Sequence, residues 1–176
     1  MPLSTMTPFE QAVVPHMDAA YTLARYLLRD EDDARDAVQD AYLRALAYFG
    51  GFRGGDGRAW LLAIVRNTCL TRHQRSRAAP ILAPFDEELH TPEGEDGGAA
   101  LAAADVVPAE SVREAVGQLP WEFREAVVLR EVHGYSYKEI AEVAGVPVGT
   151  VMSRLARARQ RLRDTLAPAI RRRTSA

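Results

Sequence analysis

One cysteine, Cys69, stands among 176 residues, and that scarcity excludes an internal disulfide and any metal site built from several thiolates. It falls in an apolar helical pattern, the setting of a small buried thiol. The four histidines, His16, His73, His90 and His133, are scattered. With no carboxylate pair and no nucleophile-and-base arrangement beside them, the reading is no enzyme, no catalytic residue, no metal and no cofactor. No run of about 18 apolar residues occurs, and no basic segment followed by an apolar core opens the chain. The expectation is therefore a cytoplasmic protein without membrane insertion. A glycine-dense stretch is present, but the G-x-x-x-x-G-K-[ST] order and a preceding strand are missing, which argues against a nucleotide phosphate loop.

Charge is plentiful and segregated, although the formal net charge is only −2. Between Arg154 and Arg173 eight arginines face one acid, Asp164, giving +7. From Phe85 to Gly98 six acids and no Lys or Arg give −6. Such asymmetry predicts a basic part that faces nucleic acid and an acidic part that avoids or imitates it.

The most informative stretch is Ser136 to Arg163. Ser136 with Glu139 three residues on makes a capping box, and Ile140, Ala141 and Ala144 follow at helical spacing, predicting a helix over 137–144. Gly145 suits a left-handed helix end, and Pro147 suits the start of another helix. In that second helix Val151, Leu155, Ala158 and Leu162 form one narrow apolar stripe. The far side shows Ser153, Ala156, Arg157 and Gln160, flanked by Met152 on one edge and by Arg154 and Arg161 on the other. Short helix, glycine turn and second helix with a basic free face is the helix-turn-helix pattern, in which the second helix can lie in a major groove.

Upstream, apolar spacing predicts helix from Phe9 to Leu28, kinked or divided at Pro15, after a frayed start. A second helix, capped by Asp32 or Asp33, carries Ala34, Val38, Ala41, Tyr42, Ala45, Leu46 and Phe49 on its inner side and Arg35, Asp36, Gln39, Asp40 and Arg44 outside. Residues 48–58 hold five glycines and three aromatics, where regular structure is blocked and backbone can approach a ligand. A helix from Ala59 to about Gln74 follows, with Trp60, Leu61, Ile64 and Val65 inward and Arg66, Asn67, Arg72 and His73 as donors. An aromatic loop beside a basic helix suits single-stranded nucleic acid, since bases stack on rings while cations hold phosphates. Residues 77–110 read as a linker that could span roughly 100 Å when extended. Helical spacing resumes at Ser111, and the tail from Pro168 reads as disordered.

The run from Glu139 to Arg159, and GTVMSRLARAR within it, resembles region 4 of the extracytoplasmic function sigma factors of bacterial RNA polymerase. DEDDARDAVQDAYLRAL resembles region 2.2, and the segment from Phe52 to Asn67 resembles regions 2.3 and 2.4 of the same family. The resemblance implies an all-α chain of two small helical domains joined by a flexible linker. Its parts are a region 2 bundle at 9–77, an acidic linker at 78–110, a region 4 helix-turn-helix at 111–166 and a basic tail at 167–176. It implies a promoter-specificity subunit that reads minus-thirty-five duplex with Tyr137, Gly149, Thr150, Met152, Ser153, Arg154, Ala156, Arg157 and Arg159. Family members often carry a basic residue where Met152 stands. It implies capture of a flipped minus-ten base by Phe52, Arg53, Trp60, Leu61, Ile64 and Asn67, and polymerase binding by Asp36, Gln39 and Asp40. The implied partners are core polymerase, through its clamp coiled coil and flap, promoter DNA and an anti-sigma factor. A dimeric helix-turn-helix regulator of duplex DNA is the alternative. It accounts for the second half of the chain but leaves the aromatic loop and the Asn67 helix without a role.

Overall fold

The computed structural model describes residues 6–76 and 107–174, the last three by backbone alone, and every regular element among them is helical. In the first half α1 (Pro8–Val13) and α2 (Met17–Leu28) are separated by a 3-10 turn at Val14–His16, so the proline divides the predicted helix into two pieces. Thr7, expected to fray, instead caps α1 in a box with Glu10. α3 (Glu31–Tyr48) is capped by Asp30, whose carboxylate accepts from the Asp33 amide at 2.9 Å. That is two or three residues before the predicted cap, because Arg29 ends α2 with a left-handed φ of 68° and the chain re-enters helix at once. α4 (Gly57–Ser76) starts where the Asp56 carboxylate accepts from the amides of Arg58 and Ala59. Gly57 is required there, since a Cβ would lie 2.5 Å from the Ala12 carbonyl oxygen of α1.

The second half contains α5 (Ala109–Gln118), α6 (Trp121–Val127) continued by a π turn at Val128–Val132, α7 (Tyr137–Ala144) and α8 (Val148–Thr174). Ala109 begins the half two residues before the expected boundary. The expected linker up to 106, with its acidic run, lies outside the described residues. α7 has the predicted bounds, with the Ser136–Glu139 box formed and Gly145 at φ 68°. α8 outruns its expected end. Pro168 costs one helical hydrogen bond, but Leu166 is buried and Ala169 and Ile170 pack on the core, so the apolar stripe carries helix through the proline into the supposedly disordered tail.

α2, α3 and α4 pack mutually in the first half, and in the second α5, α6 and α7 each pack on α8. Burial of Leu23, Leu27, Leu61 and Leu62 on one side, and of Leu129, Ile140, Val151 and Leu155 on the other, contributes about 1.5–3 kcal/mol per side chain. Leu46, placed inside from its spacing, is 52% exposed, because α3 turns a narrower stripe of Ala34, Ala37, Val38, Ala41 and Ala45 inward. The two halves also touch. α4 packs along α7, and α2 against α5 and α6.

Candidate nucleic-acid and polymerase interface

α4 displays Trp60, Ile64 and Asn67 at i, i+4 and i+7, a single helical stripe that emerges from half-buried at Trp60 to exposed at Asn67. The glycine loop lays Phe52 over the start of this stripe. Its ring lies 4.9 Å from that of Trp60 and stacks on Phe49 at 5.6 Å, while Phe49 is anchored edge-on to Phe9. Phe52 is half-buried, with Arg53 exposed beside it, and Leu61, one position off the stripe, is core. The result is an aromatic lip followed by an exposed amide, whose oxygen accepts from Arg66 Nη1 at 3.0 Å and whose nitrogen faces outward. A base can stack on the one and hydrogen-bond with the other.

On α3, Asp36 and Gln39 are exposed and Asp40 is half-buried, accepting from Arg72 Nη2 at 2.9 Å. The ion pair holds Arg72 more firmly protonated, with the Asp40 bond as the main cause. Leu43, 57% exposed, and Leu46 share the same face, giving an apolar patch rimmed by acids. Sequence reasoning missed both. Leu43 lies seven residues from Asp36 and three from Asp40, so helical spacing alone could have found it.

In the helix-turn-helix, Val148 and Met152 are exposed at 41% and 46%, one turn apart at the start of α8. Gly149 is exposed, and Thr150, Ser153, Ala156 and Arg157 are half-buried, the Ser153 hydroxyl donating to the Thr150 carbonyl at 3.0 Å. Tyr137 is half-buried at the start of α7, beneath the Arg130 guanidinium.

The descriptions that match this chain are Sigma-70 region 2 over residues 12–79 and Sigma-70, region 4 over residues 109–162. The chain belongs to the sigma-70 family. Among relatives, the ECF RNA polymerase sigma factor SigM of Mycobacterium tuberculosis is 40% identical over 88% of the chain and 74% of that protein. SigE of Mycolicibacterium smegmatis is 34% identical over 93% of the chain, which spans only 63% of that longer protein. A similar solved structure is the sigma factor RpoE of Bartonella quintana in complex with the anti-sigma factor NepR. It has a TM-score of 0.70 at 25% identity and covers 92% of this chain and 98% of the other. CnrH in complex with the cytosolic domain of CnrY has a TM-score of 0.63 at 29% identity, covering 91% and 88%. As an extracytoplasmic function sigma factor, the chain is a promoter-specificity subunit of RNA polymerase and not an enzyme.

Within this sigma factor two residues assigned to the minus-thirty-five surface are otherwise engaged. Arg159 is 8% exposed and donates from Nη2 to Glu131 at 2.9 Å. It also bonds Tyr137. The position lies beside Ala158 of the inward stripe, so its long side chain folds under the π turn and ties α8 to it. Arg154 has a side chain only 20% exposed and directs Nη1 to Glu125 at 3.9 Å. Cys69 is sealed, and burial pushes its thiol up to about 12, which leaves it inert at neutral pH. Among the described residues no cluster of His, Cys, Asp and Glu could hold a metal ion, and no helix is long and apolar enough to cross a membrane.

Proposed function

We propose that the first half of this sigma factor captures an unpaired minus-ten base and the second half reads minus-thirty-five duplex, with core polymerase seated on the exposed face of α3. The supporting observation is the half-exposed aromatic lip of Phe52 over Trp60, running along one helix face to the exposed amide of Asn67. A protein that reads only duplex has no use for such a surface. Captured single strand shifts the opening equilibrium by differential binding, so no energy source is required. On α8 the reading set is Gly149, Thr150, Met152, Ser153, Ala156 and Arg157. Arg157 is the candidate for guanine, where a bidentate contact contributes about 1–3 kcal/mol of discrimination. The exposed Asp36 and Gln39, with Leu43 and Leu46 beside them, form an acidic and apolar surface suited to a basic polymerase helix. The protein works in the cytoplasm, where the polymerase is. Because a similar solved structure holds a sigma factor with the anti-sigma factor NepR, an anti-sigma factor is the expected regulator.

The test is a double variant, Phe52→Ala with Asn67→Ala, assembled with core polymerase. Core binding should be retained, while permanganate-reactive thymines at the minus-ten element fall at least tenfold. Normal strand opening by the double variant would contradict the assignment.

A further inference from the structure

The outward edge of α8 is apolar where it begins. Val148, Met152 and Ala156 recur at i, i+4 and i+8, forming one ridge along an edge of the free face. Val148 and Met152 are 41% and 46% exposed, and Ala156 is half-buried. None of the three belongs to the inward stripe, whose Val151 and Leu155 are sealed. From 148 to 153 the helix carries no charged side chain, and Arg154, the next residue, turns toward Glu125. Gly149 lies beside the ridge. Nothing in the chain requires glycine there, since its φ is not left-handed and a Cβ would meet nothing within 4 Å. The missing side chain instead leaves room outside, for a surface that comes close to the backbone at the end of the helix.

The second helix of a helix-turn-helix lays its first turns against base edges. An apolar side chain has one favoured partner there, because the C5 methyl of thymine is the only methyl group that the four bases show in the major groove. Against the other bases, acceptors and amino donors would lose water to side chains that offer no hydrogen bond. The ridge therefore selects twice, by contact with thymine and by exclusion of bases that need a polar partner. From 148 to 156 it covers about 12 Å of helix, the rise of roughly three to four base pairs at about 3.4 Å each. A protein is a poorer occupant. A strip one side chain wide over that length falls well short of the roughly 800 Å² per partner that stable association buries. We propose that α8 reads the minus-thirty-five element through thymine methyl groups, with Val148 and Met152 as the residues that specify them and Ser153 and Arg157 supplying the polar contacts alongside. This rests on the proposal that α8 reads minus-thirty-five duplex.

The test offers holoenzyme, assembled from the full chain and core polymerase, promoter duplexes randomised over the minus-thirty-five element, and sequences the bound fragments. Thymine, on either strand, should be enriched at adjacent positions. Deoxyuridine in place of those thymines removes only the methyl group and should weaken binding about fourfold at each position. Met152→Ala should erase that sensitivity at one position and Val148→Ser at a neighbouring one, while Met152→Arg should turn the first preference toward guanine. Both side chains are exposed, so the variants should keep the parental urea midpoint. An enriched sequence that binds equally well with deoxyuridine would overturn the inference, and so would Met152→Ala with the parental sensitivity at every position. Enrichment of no minus-thirty-five sequence at all would overturn duplex reading by α8 and this inference with it, so the two failures are distinguishable.

Discussion

The interiors of the two halves differ in kind. Among the described residues, the only buried polar side chain of the first half is Thr68, whose hydroxyl donates to the Ile64 carbonyl of its own helix at 2.8 Å. The second half buries Arg124, Glu125, His133 and Arg159. Three of these four bond across the seam between the halves, to Leu27, Arg66 and Arg58. The apolar core runs through both halves, but the buried polar groups that bond across the seam are, with Thr68 aside, all supplied by the second. Polar bonds of that kind can open at moderate cost, while an apolar core cannot.

The comparison breaks if the halves share one unit of stability. Leu129→Ala, at a fully buried position of the second half, should destabilise that half by about 2–5 kcal/mol. Amide exchange should accelerate in α6, α7 and α8 and stay as slow as the parent's in α2, α3 and α4. Uniform acceleration would show the seam to be as cooperative as a core.

A smaller effect sharpens the contrast through pH. Burial, and secondarily the Arg58 guanidinium, lower His133 from 6.5 to about 4. The folded value lies below the unfolded one, so protonation favours the open or unfolded chain. The stability that His133 contributes is complete above about pH 6.5 and is lost as the pH falls towards about 4, roughly 3 kcal/mol in all. His133→Gln should flatten this acid limb in urea titrations between those limits. An unchanged slope would place the titrating group elsewhere.

The smallest effect concerns a local signal. Ser136→Ala removes the cap of α7 and should cost about 1 kcal/mol, read as a lower urea midpoint with α2, α3 and α4 unaffected in exchange.

What the sequence made legible follows the same division. The capping box, the left-handed glycine and the stripe from Val151 to Leu162 are local signals, and α7 and the turn into α8 follow from them residue by residue. The lip and stripe of α4 were legible from aromatics, glycines and helical spacing. The seam was not, because Arg66 and Glu125 are 59 residues apart and Arg58 and His133 are 75 apart, and no periodicity links such pairs. For the same reason the burial of Arg159 was not legible. Its neighbours in the chain define a basic helix edge, but its partners, Glu131 and Tyr137, come from other elements. Leu46 and the extent of α8 were misjudged because a small-residue stripe and a proline are weak signals beside packing.

The measurement that bears most directly on the whole is transcription initiated by the purified chain and core polymerase on genomic promoter fragments, with permanganate reactivity recorded around the start sites. A sigma factor gives discrete starts and opened minus-ten DNA only when both components are present. Tight duplex binding by the chain alone, with no initiation when core polymerase is added, would contradict it.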